Sequence, residues 1–490
     1  MKKPSVAVIG TGFGGLAAVI ELKKRGFDDI VVLEKADDIG GTWRENTYPG
    51  AACDVPSPFY SYSFEPFPVW PHRFSRQPVI LDYIRHVAKK YDVLRHIRFG
   101  TEVTGASYDD DTGRWTVQVS GGDPLEVDVL VSAVGQLSRP SYPDIPGAET
   151  FAGPAFHSAL WDHDVDLAGK RVAVIGTGAS AIQFVPAIQP EVDRMTVFQR
   201  TPPYLVPRFD REFSKHHHTV FEKVPLTLLA ERAAWYGVTE GLSVAWVYSK
   251  TLSSAIQAMS KRHMRKQAKD KPGLFEKIWP SYQIGCKRIL FSSDYVPALA
   301  QPNVDLVTDA ISEITPTGVR TADGVEHEAD VLIWGTGFKA TEFLAPMSIK
   351  GGDGRDLHDD WRDGARAYYG MTVPHFPNLL IMYGPNTNTG GGSIIYFLEA
   401  QASYLGDYVE HVAATGRPLS VRPEVEQDYD ERIQEQLSGS VWSRCSSWYR
   451  NANGRITTNW PTLGRQYKKQ ARFDPADYQV AARAAEKVDV

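Results

Sequence analysis

Two glycine turns in this sequence could cradle a pyrophosphate, and the residues that follow them could tell one nucleotide from another. The first turn is Gly10-x-Gly12-x-x-Gly15. In such a turn the first glycine allows the tight bend. The second lets the backbone approach a pyrophosphate, and the third lets a helix pack closely on a strand. The phosphates then face free N–H groups at a helix N-terminus, where negative charge is favoured. The second turn is Gly176-x-Gly178-x-x-Ala181, with alanine in place of the third glycine, a tolerated variant. Glu34 lies 24 positions after Gly10, and Arg200 lies 24 positions after Gly176. A carboxylate accepts hydrogen bonds from ribose hydroxyls and repels a phosphate, whereas an arginine can fork onto a 2′-phosphate. The matched positions predict a dinucleotide without that phosphate in the first unit and NADP(H) in the second.

These residues need strands and helices to hold them. Val6–Ile9 is a short apolar run of the kind that forms a buried parallel strand. Leu16 to Lys24 has helical apolar spacing with Gly26 as a stop, and Ile30–Leu33 reads as the next strand, ending in Glu34. The pattern returns with Val172–Ile175 and Met195–Phe198. Residues 330–338 read as a strand running into a glycine turn, and 378–393 as a strand and a Gly/Asn-rich loop before a helix. Residues 211–283 are rich in Lys, Trp, Leu and Ala with few turn signals. The expected fold class is α/β, with two Rossmann-like dinucleotide-binding domains and an inserted helical subdomain. Residues 1–140 and 340–490 make the first domain, 141–210 and 284–339 the second, and 211–283 the insert.

Composition narrows the partners. A chain of 490 residues is too long for one hydrophobic core. A net charge of -6 argues against a nucleic-acid partner, and the basic run Lys261–Lys266 reads as a solvated helix face. Lys2 and Lys3 precede an apolar stretch, but glycines and Glu21 interrupt it, so no signal peptide is read. The best candidate span, Leu226 to Tyr248, contains Glu231, Arg232 and Glu240, so no membrane span is expected. The reading is a soluble, cytoplasmic protein. Cys53, Cys286 and Cys445 are far apart, which predicts no structural disulfide and excludes a C-x-x-C dithiol. His216, His217 and His218 are consecutive and do not converge on one ion from a helix, so no metal is expected.

Paired nucleotide folds occur in disulfide reductases, NADH oxidases and monooxygenases, and the missing dithiol sets the first group aside. Phe151-x-Gly153-x-x-x-His157-x-x-x-Trp161-Asp162 resembles the fingerprint of type I Baeyer–Villiger monooxygenases, class B flavin enzymes that turn ketones into esters or lactones. Gly40-Gly41-Thr42-Trp43, Tyr48-Pro49-Gly50 and Asp54 resemble that family's second signature. The resemblance runs from about residue 5 to 460. It implies FAD in the first domain and NADPH in the second. It further implies O₂ captured as a C4a-peroxyflavin and a small-molecule ketone attacked through a ketone–peroxide adduct. In the family the catalytic arginine follows a lysine, which points to Arg288 after Lys287, in GCKRILFSSDY. An arginine keeps its charge in a dry site, where it can hold an anionic peroxide and the adduct's oxyanion.

The resemblance also gives Asp54 as the residue that pairs with Arg288 and positions it. Lys287 joins Arg200 and Thr201 on the 2′-phosphate, and Thr42 and Trp43 sit beside the isoalloxazine. Trp448, in SSWYRNANGR, resembles a C-terminal region that closes over the nicotinamide. His157 reads as an orienting or linker residue, because the steps need no histidine base. One alternative is an N- or S-oxidising flavin-containing monooxygenase, although that group usually carries Tyr or Phe where Trp161-Asp162 stands. Another is an uncoupled NADPH oxidase or a nucleotide-sensing protein.

Overall fold

The computed structural model describes residues 3–389, 391–444, 447, 449–451 and 453–481. β1 (Val6–Ile9) is buried along its whole length. α1 (Phe13–Lys24) follows, starting ahead of the expected Leu16, and leads to β2 (Ile30–Leu33). The short α2 (Thr42–Glu45) and α3 (Gln77–Lys90) precede β3 (Ile97–Arg98). β4 (Val103–Asp109), β5 (Arg114–Val119) and β6 (Leu125–Val127) form an antiparallel meander before β7 (Val129–Ser132).

The second half opens with β8 (Ala155–His157), β9 (Arg171–Ile175), α4 (Ala181–Ile188), β10 (Arg194–Phe198) and β11 (Leu205–Val206). Helices then run together: α5 (Lys215–Lys223), α6 (Pro225–Val247), α7 (Lys250–Gln267) and α8 (Leu274–Ile278). β12 (Leu290–Phe291), α9 (Tyr295–Leu299) and β13 (Val304–Val307) return to the sheet. The antiparallel strands β14 (Ile311–Thr315), β15 (Gly318–Thr321) and β16 (Glu326–Glu328) lead into β17 (Val331–Trp334). Finally β18 (Ser348–Lys350), α10 (Leu357–Asp360), β19 (Leu379–Ile381) and α11 (Ile394–Thr415) carry the chain back to the first half.

The two main sheets are wholly parallel, in the orders β19-β7-β1-β2-β3 and β13-β10-β9-β17-β8. Reversing the second order lays β9 on β1, β10 on β2 and β17 on β7, so the duplication in sequence is a duplication in space. Parallel strands must be covered on both faces. Here α1 and α11 pack together over the first sheet, and α4 with α9 over the second. The helical segment has no core of its own. Leu228, Ala245 and Trp246 belong to the buried cluster of β1 and α11, while Met264, Ala268 and Leu274 belong to that of β9 and α4.

One expectation is overturned. Cys286 is disulfide-bonded, while Cys53 is a free, buried thiol and Cys445 lies outside the described residues. Sequence separation is no guide here, because the fold and not the spacing sets which thiols meet. Among the described residues no helix is long and apolar enough to cross a membrane.

Candidate active site

Both glycine turns are backed by the carbonyl end of a neighbouring strand. Gly10 has φ +99°, and a Cβ on it would stand 2.8 Å from the Ala133 carbonyl oxygen, just past β7. Gly176 has φ +112°, and its Cβ would stand 2.3 Å from the Gly335 carbonyl oxygen, just past β17. The third position differs between the copies. A Cβ on Gly15 would lie 2.0 Å from the Gly10 carbonyl oxygen, whereas Ala181 is accommodated and fully buried. The reason lies in where each helix starts: α1 begins ahead of Gly15, so that residue faces the turn from inside the helix, while α4 begins at Ala181 itself.

A threonine in each turn ties it to the end of the next strand. Thr11 donates to Glu34 Oε2 from its backbone N–H at 3.0 Å and its hydroxyl at 2.6 Å, and Ala36 N–H donates to Oε1 at 3.0 Å. Glu34 is thereby buried, fixed and still able to accept on its remaining lone pairs. Thr177 instead donates to the Thr201 carbonyl at 3.1 Å, next to the exposed Arg200. The short parallel pair β11/β12 sets Leu205 beside Leu290 and Val206 beside Phe291, and the segments leading into it bring Arg200 near enough to Lys287 for its charge to be felt there. Tyr282 braces that junction. Its hydroxyl donates to the Pro202 carbonyl at 3.0 Å, and its ring lies 5.1 Å below the Lys287 ammonium. Burial and then the charge of Arg200 lower the Lys287 pKa, so two cations share one place. Such a pair calls for an anion. The donor sets thus fit two dinucleotides, one read by a carboxylate and one by paired cations.

The second signature runs across the boundary between the halves. Gly41 abuts Gly12, the Cβ it lacks falling 3.1 Å from the Gly12 Cα. Trp43 is buried edge-on to Tyr60, to whose hydroxyl it donates at 3.2 Å, and Thr42 is exposed. Tyr48 donates to Gln183 Oε1 of α4 at 3.0 Å. Gln183 also binds the Ala52 peptide on both sides, accepting its N–H at 3.1 Å and donating to its carbonyl at 3.0 Å. The first signature arrives at the same helix: the ring of Trp161 lies 5.4 Å from that of Phe184, and the ring of Tyr48 6.1 Å from it on another side. His157 is fully buried, accepts the Ala159 N–H on Nδ1 at 3.1 Å, and is pushed down to about 4 by burial. It is therefore a neutral imidazole at ordinary pH.

The signature ends at Asp54, which meets Arg288 from 234 positions away. Arg288 Nε donates to Oδ2 at 2.9 Å, and Nη2 lies 2.7 Å from each carboxylate oxygen. Nη1 takes no part in these bonds. The Asp54 charge raises the Arg288 pKa further above its already high ordinary value. The Arg288 side chain keeps 39% of its surface accessible, so the bond to Asp54 leaves one side of the guanidinium open. Tyr383 and Tyr449 flank the pair. Burial pushes each hydroxyl up to about 12, so both stay neutral donors, and the Tyr383 hydroxyl lies 3.1 Å from Asn388 Oδ1.

Gln183, Phe184, Tyr282, Tyr383 and Tyr449 were not singled out from sequence. Only the first two carried a hint, since they follow the second glycine turn directly. Trp448 lies outside the described residues. The three histidines go separate ways: His217 Nδ1 meets Ser214 at 2.9 Å, and His218 Nε2 meets the Trp70 carbonyl at 2.9 Å. Among the described residues no group of three ligands could hold a metal. A narrow cleft of about 10 Å³ lies along the inner face of α6, lined by Phe59, Tyr236, Thr239, Glu240 and Tyr396 among others. None of the residues named above for nucleotide or catalysis lines it.

Two parallel sheets, each headed by a phosphate-type glycine turn and joined beside a half-buried arginine–aspartate pair, define a two-nucleotide oxidoreductase. A family model described as flavin-binding monooxygenase-like matches residues 2–229. A Baeyer–Villiger monooxygenase of Streptomyces coelicolor is 46% identical over 480 residues, spanning 97% of this chain and 92% of its own. Cyclohexanone monooxygenase from Rhodococcus sp. Phi1 bound to NADP+ superposes with a TM-score of 0.87 at 29% identity, over 97% of this chain and 99% of that one. OTEMO in complex with FAD and NADP gives 0.87 at 28% identity, over 96% and 97%. This chain belongs to the Baeyer–Villiger monooxygenases, a family of flavin-dependent monooxygenases.

Proposed function

We propose that this protein is an NADPH- and O₂-dependent monooxygenase that inserts oxygen beside a ketone carbonyl to give an ester or lactone. The carrying observation is the Arg288–Asp54 pair, charged, two-pronged and open on one side. In this reading the domain of residues 1–140 and 340–490 holds FAD through Gly10, Gly12, Gly15 and Glu34, with Thr42 and Trp43 at its edge. The domain of 141–210 and 284–339 holds NADPH through Gly176, Gly178, Ala181, Arg200, Thr201 and Lys287. Trp448 is assigned to the nicotinamide side from its motif alone. When bound, the flavin accepts a hydride from NADPH and delivers the electrons to O₂.

The chain's own residues do the rest. Arg288 holds a fixed positive charge where the substrate oxygen gains negative charge, and it cannot lose its proton to that oxygen. Asp54 positions the guanidinium through two nitrogens and leaves the third for the reacting centre. Tyr449, buried, and Tyr383, half-buried, stay neutral beside the pair and cover part of it.

The test is a panel of ketones, thioethers and amines offered to the FAD-loaded enzyme with NADPH and O₂. Ester formation is expected, and it should vanish in Arg288→Ala while NADPH still reduces the flavin. Oxygenation of thioethers or amines alone would reassign the chain to the heteroatom oxidisers. Near wild-type ester formation by the variant would remove Arg288 from catalysis.

A further inference from the structure

Lys287 and Arg288 are consecutive cations with opposite surroundings. Arg288 is bound by the carboxylate of Asp54. Lys287 is seated on a ring instead, its ammonium 5.1 Å over that of Tyr282. Among the described residues no carboxylate makes an ion pair with Lys287 or with Arg200. A carboxylate would hold the lysine and offset its charge. A ring face attracts the ammonium through its quadrupole and leaves the full charge for another partner. The ammonium also keeps its three N–H donors.

Tyr282 also holds the segment that carries the other cation. Its hydroxyl donates to the carbonyl of Pro202, which follows Arg200 and Thr201 directly. Burial raises the Tyr282 hydroxyl well above its ordinary pKa, so it stays a neutral donor. One side chain therefore meets both segments, the ring at 287 and the hydroxyl at 202. Tyr282 is itself held in place. Its carbonyl accepts the Tyr204 hydroxyl at 2.6 Å, and the two rings meet edge to face at 5.3 Å. Tyr204 is fully buried and stands edge-on to Trp279, and its hydroxyl accepts from Gln257 Nε2 of α7 at 3.0 Å. The Tyr204 carbonyl accepts the Leu290 N–H at 3.0 Å, which stitches the same residue into the β11/β12 pair.

We infer that Tyr282 is a positioning residue that sets the preference for a 2′-phosphorylated nucleotide, by holding Lys287 and the Arg200–Thr201 segment toward a common phosphate. The inference rests on the reading of those residues as the 2′-phosphate site. Neighbouring cations repel, so each is driven away from the other when no anion lies between them. Tyr282 opposes that drift on both sides with contacts that bring no negative charge. The clamp is then ordered before the phosphate arrives, and less side-chain freedom is lost on binding. A ribose without the phosphate offers Lys287 no charged acceptor, so it gains nothing from the seat. A tyrosine that merely packed would support both nucleotides alike.

Calorimetric titration of the FAD-loaded protein with NADP+ and with NAD+ separates the two roles. Tyr282→Leu removes ring and hydroxyl together, and should weaken NADP+ about tenfold or more and NAD+ less than about twofold. Tyr282→Phe keeps the ring and loses the bond to Pro202, so NADP+ should weaken by about 2- to 10-fold. The short probe 2′-AMP should follow NADP+ in both variants, and 5′-AMP should follow NAD+. Equal weakening of NADP+ and NAD+ overturns the proposal, and so does wild-type NADP+ affinity in Tyr282→Leu. Should the leucine variant fail to fold, an unchanged NADP+-to-NAD+ ratio in Tyr282→Phe overturns it. Arg200→Ala is titrated beside them. If that variant keeps the wild-type ratio, the phosphate reading falls and takes the proposal with it. If it loses the preference while Tyr282→Leu keeps it, the proposal alone falls.

Discussion

In the proposed function, the matched strand ends divide the labour between the two nucleotide units. At Glu34 a threonine of the turn supplies two donors to the carboxylate, which fixes an acceptor at the first site. At the second site the equivalent threonine binds a main-chain carbonyl, and Arg200 projects from an exposed position beside Lys287. Hydrogen bonds to charged groups contribute about 1.5–3 kcal/mol, and each 1.4 kcal/mol is roughly tenfold. Arg200→Ala should therefore raise the KM for NADPH by about 10- to 100-fold and leave the KM for NADH within about twofold. Steady-state kinetics with both nucleotides decides it, and equal effects on the two would end the phosphate-reading role. The depressed pKa of Lys287 adds a sign: it loses its charge at lower pH than a free lysine, so NADPH affinity should weaken in the alkaline range before NADH affinity does.

At the scale of elements, the helix start decides what the third turn position can be. Gly15 faces the Gly10 carbonyl from within α1, and overpacking of this kind costs about 1–3 kcal/mol. Gly15→Ala should lower the melting temperature and the flavin retained through purification, while Ala181→Gly in the second copy should leave nucleotide binding largely intact. Full flavin content at an unchanged melting temperature in Gly15→Ala would refute the packing argument. Much of this was legible beforehand, because four-residue apolar runs beside glycines have few other structures open to them. The pairing of Asp54 with Arg288 was visible only through the family's motifs, since nothing local links residues so far apart. The engagement of Glu231 by Arg73, and of Arg232 by the Pro58 and Ser61 carbonyls, was not legible at all. Periodicity says which residues share a face, and it assumes that the charged face is the wet one. The bridge at Cys286 was misread for a similar reason, because distance along the chain stood in for distance in space.

The whole molecule is built around two copies of one nucleotide fold, and α4 is one place where they meet. Both family signatures converge there: Trp161 and Tyr48 on Phe184, and Tyr48 with the Ala52 peptide on Gln183. Gln183→Glu keeps the shape and removes the donor, leaving two oxygens opposed across a half-buried seam. The loss of a buried partner costs about 1–3 kcal/mol. We expect a lower melting temperature and slower flavin reduction by NADPH in rapid mixing, with FAD content unchanged. Wild-type values for both would show that the halves do not depend on this contact.

Gln183 has a wider consequence, because it recognises the main chain of residue 52 and not its side chain. The contact works as a socket for a peptide unit. Small side chains can replace the buried Ala52 without undoing the joint, provided the backbone keeps its path, whereas position 183 accepts only a side chain that both gives and takes a hydrogen bond. At residue 52 the joint constrains the path of the backbone, while at 183 it is held to a single side chain. A redesign that swaps nucleotide modules between relatives should cut on the residue-52 side of that border.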